Sequence, residues 1–120
     1  MIEAILLYYN VMFNLPYGLL PSICWVESNW NPKAVNSSDP SYGLCQIKVS
    51  TATWIMKRKI TKKDLMNPEI NAEVAGKYLR YQLDRYRDNL KCAISAYNAG
   101  HCSGKNGNYF DKVIKKYNEY

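Results

Sequence analysis

The sequence predicts a mostly α-helical fold with at most a short β-hairpin around residues 42–47. Apolar residues recur at helical spacing in several segments, and residues that cap helices stand where those segments begin. Alternating strand patterns of any length are missing. Because 120 residues correspond to about one domain by length, we assign residues 1–120 to a single domain.

The first two helices are predicted over residues 2–13 and 18–28. The first ends before Pro16, since proline disfavours a helical conformation in the residue that precedes it. In the second, Pro21 lies near the first turn, where backbone N–H groups lack intrahelical partners in any case. Residues 29–42 are rich in Asn, Ser, Asp and Pro, and this composition predicts a long loop of the kind that is often functional.

The remaining helices are predicted from their capping residues. Asn67 followed by Pro68 opens the longest helix, whose apolar stripe includes Tyr78 and Tyr81. We interpret these tyrosines as core and rim residues rather than ligand sites. The predicted segments are a short helix capped by Ser50 and running to residue 57, the long helix to residue 87, a helix capped by Asn89 through residue 99, a glycine-rich loop over 100–108 and a last helix over 109–118.

Composition and charge limit the function classes. Apolar residues make up 48% and charged residues 22%, values of a folded protein that exclude intrinsic disorder. The net charge of +6 favours a polyanionic partner, and nucleic acid, an anionic membrane surface or an acidic cell wall would each fit. No membrane span is expected, since no apolar segment reaches about 18–20 residues. Glu3 and the lack of a small-residue cleavage site argue against a signal peptide.

Four cysteines permit three complete pairings, and the sequence does not select one. No C-x-x-C motif is present, so neither zinc nor any other metal or cofactor is expected. Cys24 and Cys45 have core-like neighbours, and their simplest interpretation is as buried thiols. Cys92 and Cys102 remain unassigned.

The segment WVESNW contains the candidate catalytic residue, Glu27. Leu20, Ile23 and Cys24 precede it by seven, four and three residues, which places Glu27 on the apolar face of the second helix. Desolvation there would raise the pKa of the carboxyl above about 4.3 and make it a general acid. Alternatively, Glu27 turns outward to water or pairs with a lysine, and spacing alone favours this second interpretation.

Four segments in a fixed order resemble the soluble lytic transglycosylase domain, a lysozyme-like family that cleaves peptidoglycan. They are PYGLLPSICWVESNWNPKAVN (16–36), YGLCQI (42–47), NPEINAEVAGKYL (67–79) and AYNAG (96–100). The resemblance covers residues 15–117. It implies a lysozyme-like helical domain with a substrate cleft, in which Glu27 is the catalytic acid.

The resemblance also implies which residues contact the glycan. Gln46 would bind N-acetyl or hydroxyl groups of a sugar, and Tyr97 and Asn98 would face the sugar next to the scissile bond. Departures occur at Cys45, which replaces a methionine, and at Lys105, where the family often has an acid four residues before a tyrosine. The expected substrate-binding residues are Ser28, Asn36 (often serine in the family), Gln46, Ile47, Tyr97 and Asn98.

The mechanism depends on the number of carboxylates. Cleavage of a β-1,4 glycosidic bond needs a proton on the leaving oxygen, and ordinary hydrolases add a second carboxylate. No second acid lies in a matching motif: Asp39 is in the 29–42 loop, and Glu73 and Asp84 are in the long helix. The resemblance therefore implies that Glu27 acts as acid and then as base, helping the muramoyl C6 hydroxyl to attack C1 and leave a 1,6-anhydro end.

Other functions stay open at this point. The nearest alternative is a goose-type lysozyme-like hydrolase of the same bond, followed by a non-catalytic peptidoglycan-binding or structural module. A nucleic-acid binder rests on charge alone, so nucleic acid is not the expected partner. We expect peptidoglycan strands as the partner and the bacterial wall as the site of action. The protein would act as a monomer or as part of a virion assembly. It would be made in the cytoplasm of a phage-infected host and then released with a holin or carried in the virion.

Overall fold

The computed structural model describes all 120 residues. The protein consists mainly of helices. The elements are α1 (Ile2–Met12), α2 (Leu19–Ser28), β1 (Val35–Asn36), β2 (Ser41–Tyr42), α3 (Val49–Met56), α4 (Lys62–Leu65), α5 (Pro68–Arg85), α6 (Leu90–Ala99) and α7 (Gly107–Tyr117). The predicted class, mostly α with a short hairpin, is confirmed. None of the helices is both long enough and apolar enough to cross a membrane.

Helix α5 forms the centre of the fold. Its N-cap is Asn67, whose side-chain oxygen accepts hydrogen bonds from the N–H groups of Glu69 and Ile70, as predicted from the sequence. One face of α5 packs against α1, α3 and α6, while α7 packs against α2 and α6. Leucine and isoleucine side chains from these helices join one buried apolar cluster, which fixes α2 and α6 on either side of a cleft.

The hairpin lies earlier in the chain than predicted. β1 and β2 pair antiparallel, with Val35 opposite Tyr42 and Asn36 opposite Ser41, and a single further bridge joins Tyr42 to Ile47. Each strand has only two residues, which is too short for an alternating pattern to develop. The predicted 29–42 loop therefore contains the hairpin.

Two further details of the helix prediction are wrong. Ser50 does not cap α3, which begins at Val49 after an extended Lys48 without a side-chain cap. The four-residue helix α4 was not predicted. Its start is marked by a capping box in which Thr61 and Asp64 exchange side-chain to backbone hydrogen bonds.

The four cysteines form two disulfides, Cys24–Cys45 and Cys92–Cys102. The expectation of buried thiols at Cys24 and Cys45 is therefore wrong, although both residues are fully buried. Their Cα atoms lie 4.3 Å apart because the loop before α3 folds back onto α2. Such an approach between residues 21 positions apart cannot be read from local spacing.

Candidate active site

A cleft of about 340 Å³ lies among α2, α5, α6 and the segment that contains the hairpin. It brings together six of the seven residues predicted for the site, although they come from four separate parts of the chain. These six are Glu27, Asn36, Gln46, Ile47, Tyr97 and Asn98. The seventh, Ser28, does not line the cleft.

Glu27 lies in the last turn of α2 and faces the cleft. Its Oε2 accepts a hydrogen bond of 2.8 Å from the hydroxyl of Tyr109 on α7. Burial raises the pKa of Glu27 from 4.5 to about 7, and the bond from Tyr109 acts in the opposite direction. Glu27 is desolvated in the cleft beside Tyr109 and forms no salt bridge, so the alternative of an acid turned outward to water or paired with a lysine is wrong.

Aromatic residues on the opposite side of α2 hold the helix end in place. Asn29 adopts a left-handed conformation (φ 55°) and ends the helix. The indole N–H of Trp30 then donates to the carbonyl of Pro21 at 2.9 Å, and its ring meets that of Trp25 edge to face. Lys116 of α7 lies over both rings. The tryptophans of WVESNW therefore anchor the helix that carries Glu27.

Ser28 links the same helix end to the loop before α3. Its hydroxyl donates to the carbonyl of Leu44 at 2.6 Å and accepts from the N–H of Asn31 at 3.0 Å. The hydroxyl is thus engaged with the backbone. A contact between Ser28 and the substrate remains a prediction. The hydrogen bond from Ser28 to Leu44 holds the end of α2, next to Glu27, against the loop before α3.

The tight turn at Gly43 depends on one buried residue of α5. Gly43 has φ 81°, and a Cβ at this position would collide with the Leu65 carbonyl and the Asn71 side chain. The Asn71 amide donates to the carbonyls of Tyr42 and Leu65, both at 2.9 Å, and accepts from the N–H of Cys45 at 2.9 Å. Asn71 is fully buried. The sequence analysis gave it no role, although a polar residue on the apolar face of a helix was an available signal.

The side-chain amide of Gln46 forms three hydrogen bonds to the hairpin and the turn that follows it. Its side-chain nitrogen donates to the carbonyls of Gly43 and Ala34, and its oxygen accepts from the hydroxyl of Ser41. Both amide hydrogens are therefore used, which leaves one acceptor position on Oε1 for a ligand. The expected contact to a sugar is restricted to a group that donates a hydrogen bond.

Tyr97 and Asn98 lie at the end of α6 on the other side of the cleft. The Tyr97 hydroxyl donates to the carbonyl of Cys45 at 2.9 Å, and burial, with a smaller contribution from Glu27, holds the pKa of Tyr97 well above its ordinary value. Asn98 is exposed, and its side-chain oxygen accepts from Asn106 at 3.1 Å. Asn98 lines the cleft, and both donors of its NH₂ group are unused.

A second carboxylate also lines the cleft. Asp39, in the turn between β1 and β2, forms a 2.9 Å salt bridge with Lys48. Both side chains are exposed, so the pair resembles a surface ion pair in strength. Glu73 and Asp84 do not line the cleft. Asp39 is thus the one candidate for the base or nucleophile of a hydrolase.

Comparisons with known proteins identify relatives over most of this chain. It is 33% identical over 110 residues to the soluble lytic murein transglycosylase of Escherichia coli strain K12, covering 82% of this chain and 17% of the relative. It is 38% identical over 79 residues to the protein of the same name from Salmonella typhimurium, covering 62% of this chain and 12% of that one. The chain therefore spans less than a fifth of the length of these relatives.

A solved structure has the same fold. The crystal structure of the 70 kDa soluble lytic transglycosylase from Escherichia coli matches 95% of this chain and 19% of its own, with a TM-score of 0.75 and 26% identity. The model of the Transglycosylase SLT domain matches residues 6–119. This chain therefore belongs to the Transglycosylase SLT domain family.

Proposed function

We propose that this protein is a peptidoglycan lytic transglycosylase that cleaves the β-1,4 bond between N-acetylmuramic acid and N-acetylglucosamine. The observation that carries the proposal is Glu27, a carboxyl with a pKa of about 7 that faces the cleft of an SLT domain. A carboxyl with this pKa is partly protonated at neutral pH, where it can both give and take a proton. The relatives named above are murein transglycosylases, which supports the same substrate.

In the proposed reaction Glu27 first donates its proton to the glycosidic oxygen as the bond to C1 breaks. The carboxylate that results then accepts the proton of the muramoyl C6 hydroxyl as that oxygen attacks C1. The products are a 1,6-anhydromuramoyl end and a new N-acetylglucosamine end, and no water is consumed. The Tyr109 hydroxyl stabilises the carboxylate between the two steps by donating to Oε2.

The cleft residues would contact the glycan in different ways, according to the hydrogen-bonding groups and apolar surface that each leaves free. Asn98 donates from its amide, and Gln46 accepts through Oε1. Ile47 supplies a buried apolar wall, and Tyr97 contributes the small part of its ring that reaches the cleft. The proposed substrate-binding set remains Ser28, Asn36, Gln46, Ile47, Tyr97 and Asn98.

Hydrolysis of the same bond is the second candidate, and Asp39 is the observation that favours it. In a hydrolase, Asp39 would act as base or nucleophile opposite Glu27. The two mechanisms predict different effects of Asp39→Asn. A transglycosylase keeps most of its turnover, whereas a hydrolase that uses Asp39 loses about 100-fold or more, the usual contribution of a catalytic base.

Mass spectrometry of the fragments released from purified peptidoglycan tests the proposal. We expect anhydro ends from the wild type and none from Glu27→Gln, while Glu69→Gln, an exposed acid on α5, cuts like the wild type. Reducing ends would instead show hydrolysis. Glycan binding without any new chain ends in the wild type would show a non-catalytic module and overturn the proposal.

The two disulfides support action outside the reducing cytoplasm. Disulfides persist in oxidising compartments such as the periplasm and the extracellular space. Both pairs here are closed, and no free cysteine remains. This fits an enzyme that works on the wall, while a role in phage lysis or in a virion and a monomeric state remain predictions.

A further inference from the structure

We propose that Trp54 and Tyr81 form an additional sugar-binding subsite that extends the cleft along the seam between α3 and α5. The inference rests on the proposed function, because it assumes that the ligand is a glycan strand. It adds a binding site beyond the cleft residues described above. It also revises the interpretation of Tyr81 as a residue of core and rim only.

A continuous series of aromatic rings runs from the cleft to these two residues. Tyr97 lies 5.3 Å from Tyr78, measured between ring centroids, and both rings line the cleft. Tyr78 stacks on Tyr81 at 6.4 Å with an angle of 14° between the planes. Tyr81 then meets Trp54 edge to face at 4.9 Å. Each contact lies in the range that favours aromatic pairs.

Helix geometry places the outer pair directly beside the cleft. On α3, Thr51 lines the cleft and Trp54 follows three residues later, which is one turn along the same side of the helix. On α5, Tyr78 and Tyr81 have the same relation. Since α3 and α5 pack against each other, the two outer rings continue the surface that the two inner residues begin.

The exposure of Trp54 is the second observation. The residue is 55% exposed, whereas tryptophan is usually well buried, and it lies one helical turn from Thr51, which lines the cleft. Trp25 and Trp30, in contrast, are engaged with Lys116 on the far side of α2. Trp54 is also not isolated, since it forms one contiguous aromatic patch with Tyr81 and Tyr78, and a contiguous apolar patch beside a cleft marks an interaction surface.

A sugar ring has the chemistry to occupy this surface. Its axial C–H groups form an apolar face that packs flat on an aromatic ring, while its hydroxyl and N-acetyl groups extend from the edge. Trp54 offers such a ring, and Lys48 and Thr51 offer polar groups at its cleft side. Because a glycan strand is linear, a strand that leaves the cleft past Thr51 and Tyr78 would carry its next sugar onto the Trp54 ring.

The length dependence of oligosaccharide binding tests this subsite. The parent is the Glu27→Gln variant, which binds without turnover, and the ligands are N-acetylglucosamine oligomers of increasing length, titrated by calorimetry. We expect Trp54→Ala to bind the longest oligomer about tenfold more weakly and the shortest equally well, since only a long ligand reaches the ring. Trp54→Phe should recover most of the loss. Tyr8→Ala, which removes a similarly exposed ring on α1, serves as the matched control and should change nothing.

Each other outcome contradicts a specific claim. Unchanged binding of the longest oligomer by a folded Trp54→Ala protein overturns the subsite but leaves the proposed function in place. An equal loss at every length also overturns it, because the effect would not belong to an outer sugar. Failure of the parent to bind any oligomer or peptidoglycan contradicts the proposed function itself. Thermal unfolding of each variant shows that the fold is intact.

Discussion

Glu27 combines two requirements that usually conflict, since a carboxyl must be buried to hold a proton and open to the cleft to deliver it. Its place in the last turn of α2 satisfies both, because the carboxyl is largely buried and yet the residue lines the cleft. The Tyr109 hydroxyl provides its one side-chain hydrogen bond. The pKa of Glu27 is therefore set mainly by burial, and this one hydrogen bond lowers it.

The raised pKa of Glu27 predicts the pH dependence of activity. In the proposed reaction the protonated form of Glu27 starts the cleavage, and this form is lost as the pH rises through about 7. We expect kcat/KM on soluble peptidoglycan fragments to fall about tenfold per pH unit well above that value. A profile that is still rising at pH 8 would contradict the assignment of Glu27 as the acid.

Replacement of the same residue separates activity from stability. Glu27→Gln removes the proton donor and should lower turnover by about 10²–10⁴-fold. The folded protein holds the Glu27 proton more tightly than the unfolded chain does. This binding contributes stability that is fully present below pH 4.5 and is lost as the pH rises through about 7. Glu27→Gln should therefore be more stable than the wild type by about 2–3 kcal/mol at pH 8, with the gain absent at pH 4. Urea unfolding at both pH values measures this, and an equal difference at both would contradict it.

Local spacing predicted where Glu27 lies but not what it does. Its helix neighbours three and four residues away placed it on the apolar face of α2, while its role as the catalytic acid was implied by the resemblance to the family and remains a proposal. Tyr109, which donates to it, lies 82 residues further along the chain, so no local pattern connects them. Gln46 was placed in the cleft, but its bonds to Gly43 and Ala34 depend on how the hairpin folds.

Helix α7 tunes the acid on α2. Tyr109→Phe removes the hydrogen bond that lowers the pKa of Glu27, so this pKa should rise further and the decline of kcat/KM should move to higher pH. The pH profile and an NMR titration of the Glu27 carboxyl measure the shift. Tyr120→Phe is the matched control, because its hydroxyl bonds Glu3 away from the cleft. A shift to lower pH in Tyr109→Phe would contradict this role.

Helix α5 holds the turn before α3 through one side chain. Asn71→Ala leaves the N–H of Cys45 and the carbonyl of Leu65 without partners in a buried site, whereas the carbonyl of Tyr42 keeps its bond from the N–H of Ile47. We expect a loss of about 2–4 kcal/mol in the free energy of unfolding, the cost of two unsatisfied groups. Chemical denaturation measures it, with the exposed Asn108→Ala as control. A loss below about 1 kcal/mol would show that water or rearrangement replaces the amide.

Long elements could be placed along the sequence, whereas the short hairpin was predicted at the wrong position and α4 was not predicted. Asn67 and Pro68 predict the start of α5 correctly because capping is a local interaction. The hairpin and α4 have two to four residues per element, so the periodicity that identifies an element has no room to appear. Their positions depend instead on contacts such as those of Asn71.

The whole molecule relies on the Cys24–Cys45 disulfide to join the helix of Glu27 to the loop of Gln46. We expect Cys24→Ala/Cys45→Ala to lose about 3 kcal/mol of stability, as for a closed loop of this size. Cys92→Ala/Cys102→Ala is the control, with a similar loss from its shorter loop. Turnover, measured well below the melting temperature, should fall more in Cys24→Ala/Cys45→Ala. Of the two disulfides, only Cys24–Cys45 joins the helix of Glu27 to the segment of Gln46. Equal turnover in both would contradict this role.

The order of the motifs predicted which segments form the cleft, but it did not predict which cysteines pair. The order of the segments around Glu27, Gln46 and Tyr97 predicted that they would meet, and the structure places all three in one cleft. The cysteine pairing stayed open because four cysteines of similar character allow three solutions. Only the tertiary fold brings Cys45 to Cys24.

The contact between α2 and α7 also affects the order in which the protein gains activity during synthesis. Glu27 is translated before α3 to α6, and Tyr109 and the rest of α7 follow all of them. We expect that water reaches the carboxyl until α7 packs on α2, so that its pKa stays near that of a free glutamate. A chain in which α7 has not docked would then carry an ionised Glu27 at neutral pH, and the proposed proton donor is present only once α2 and α7 are packed together.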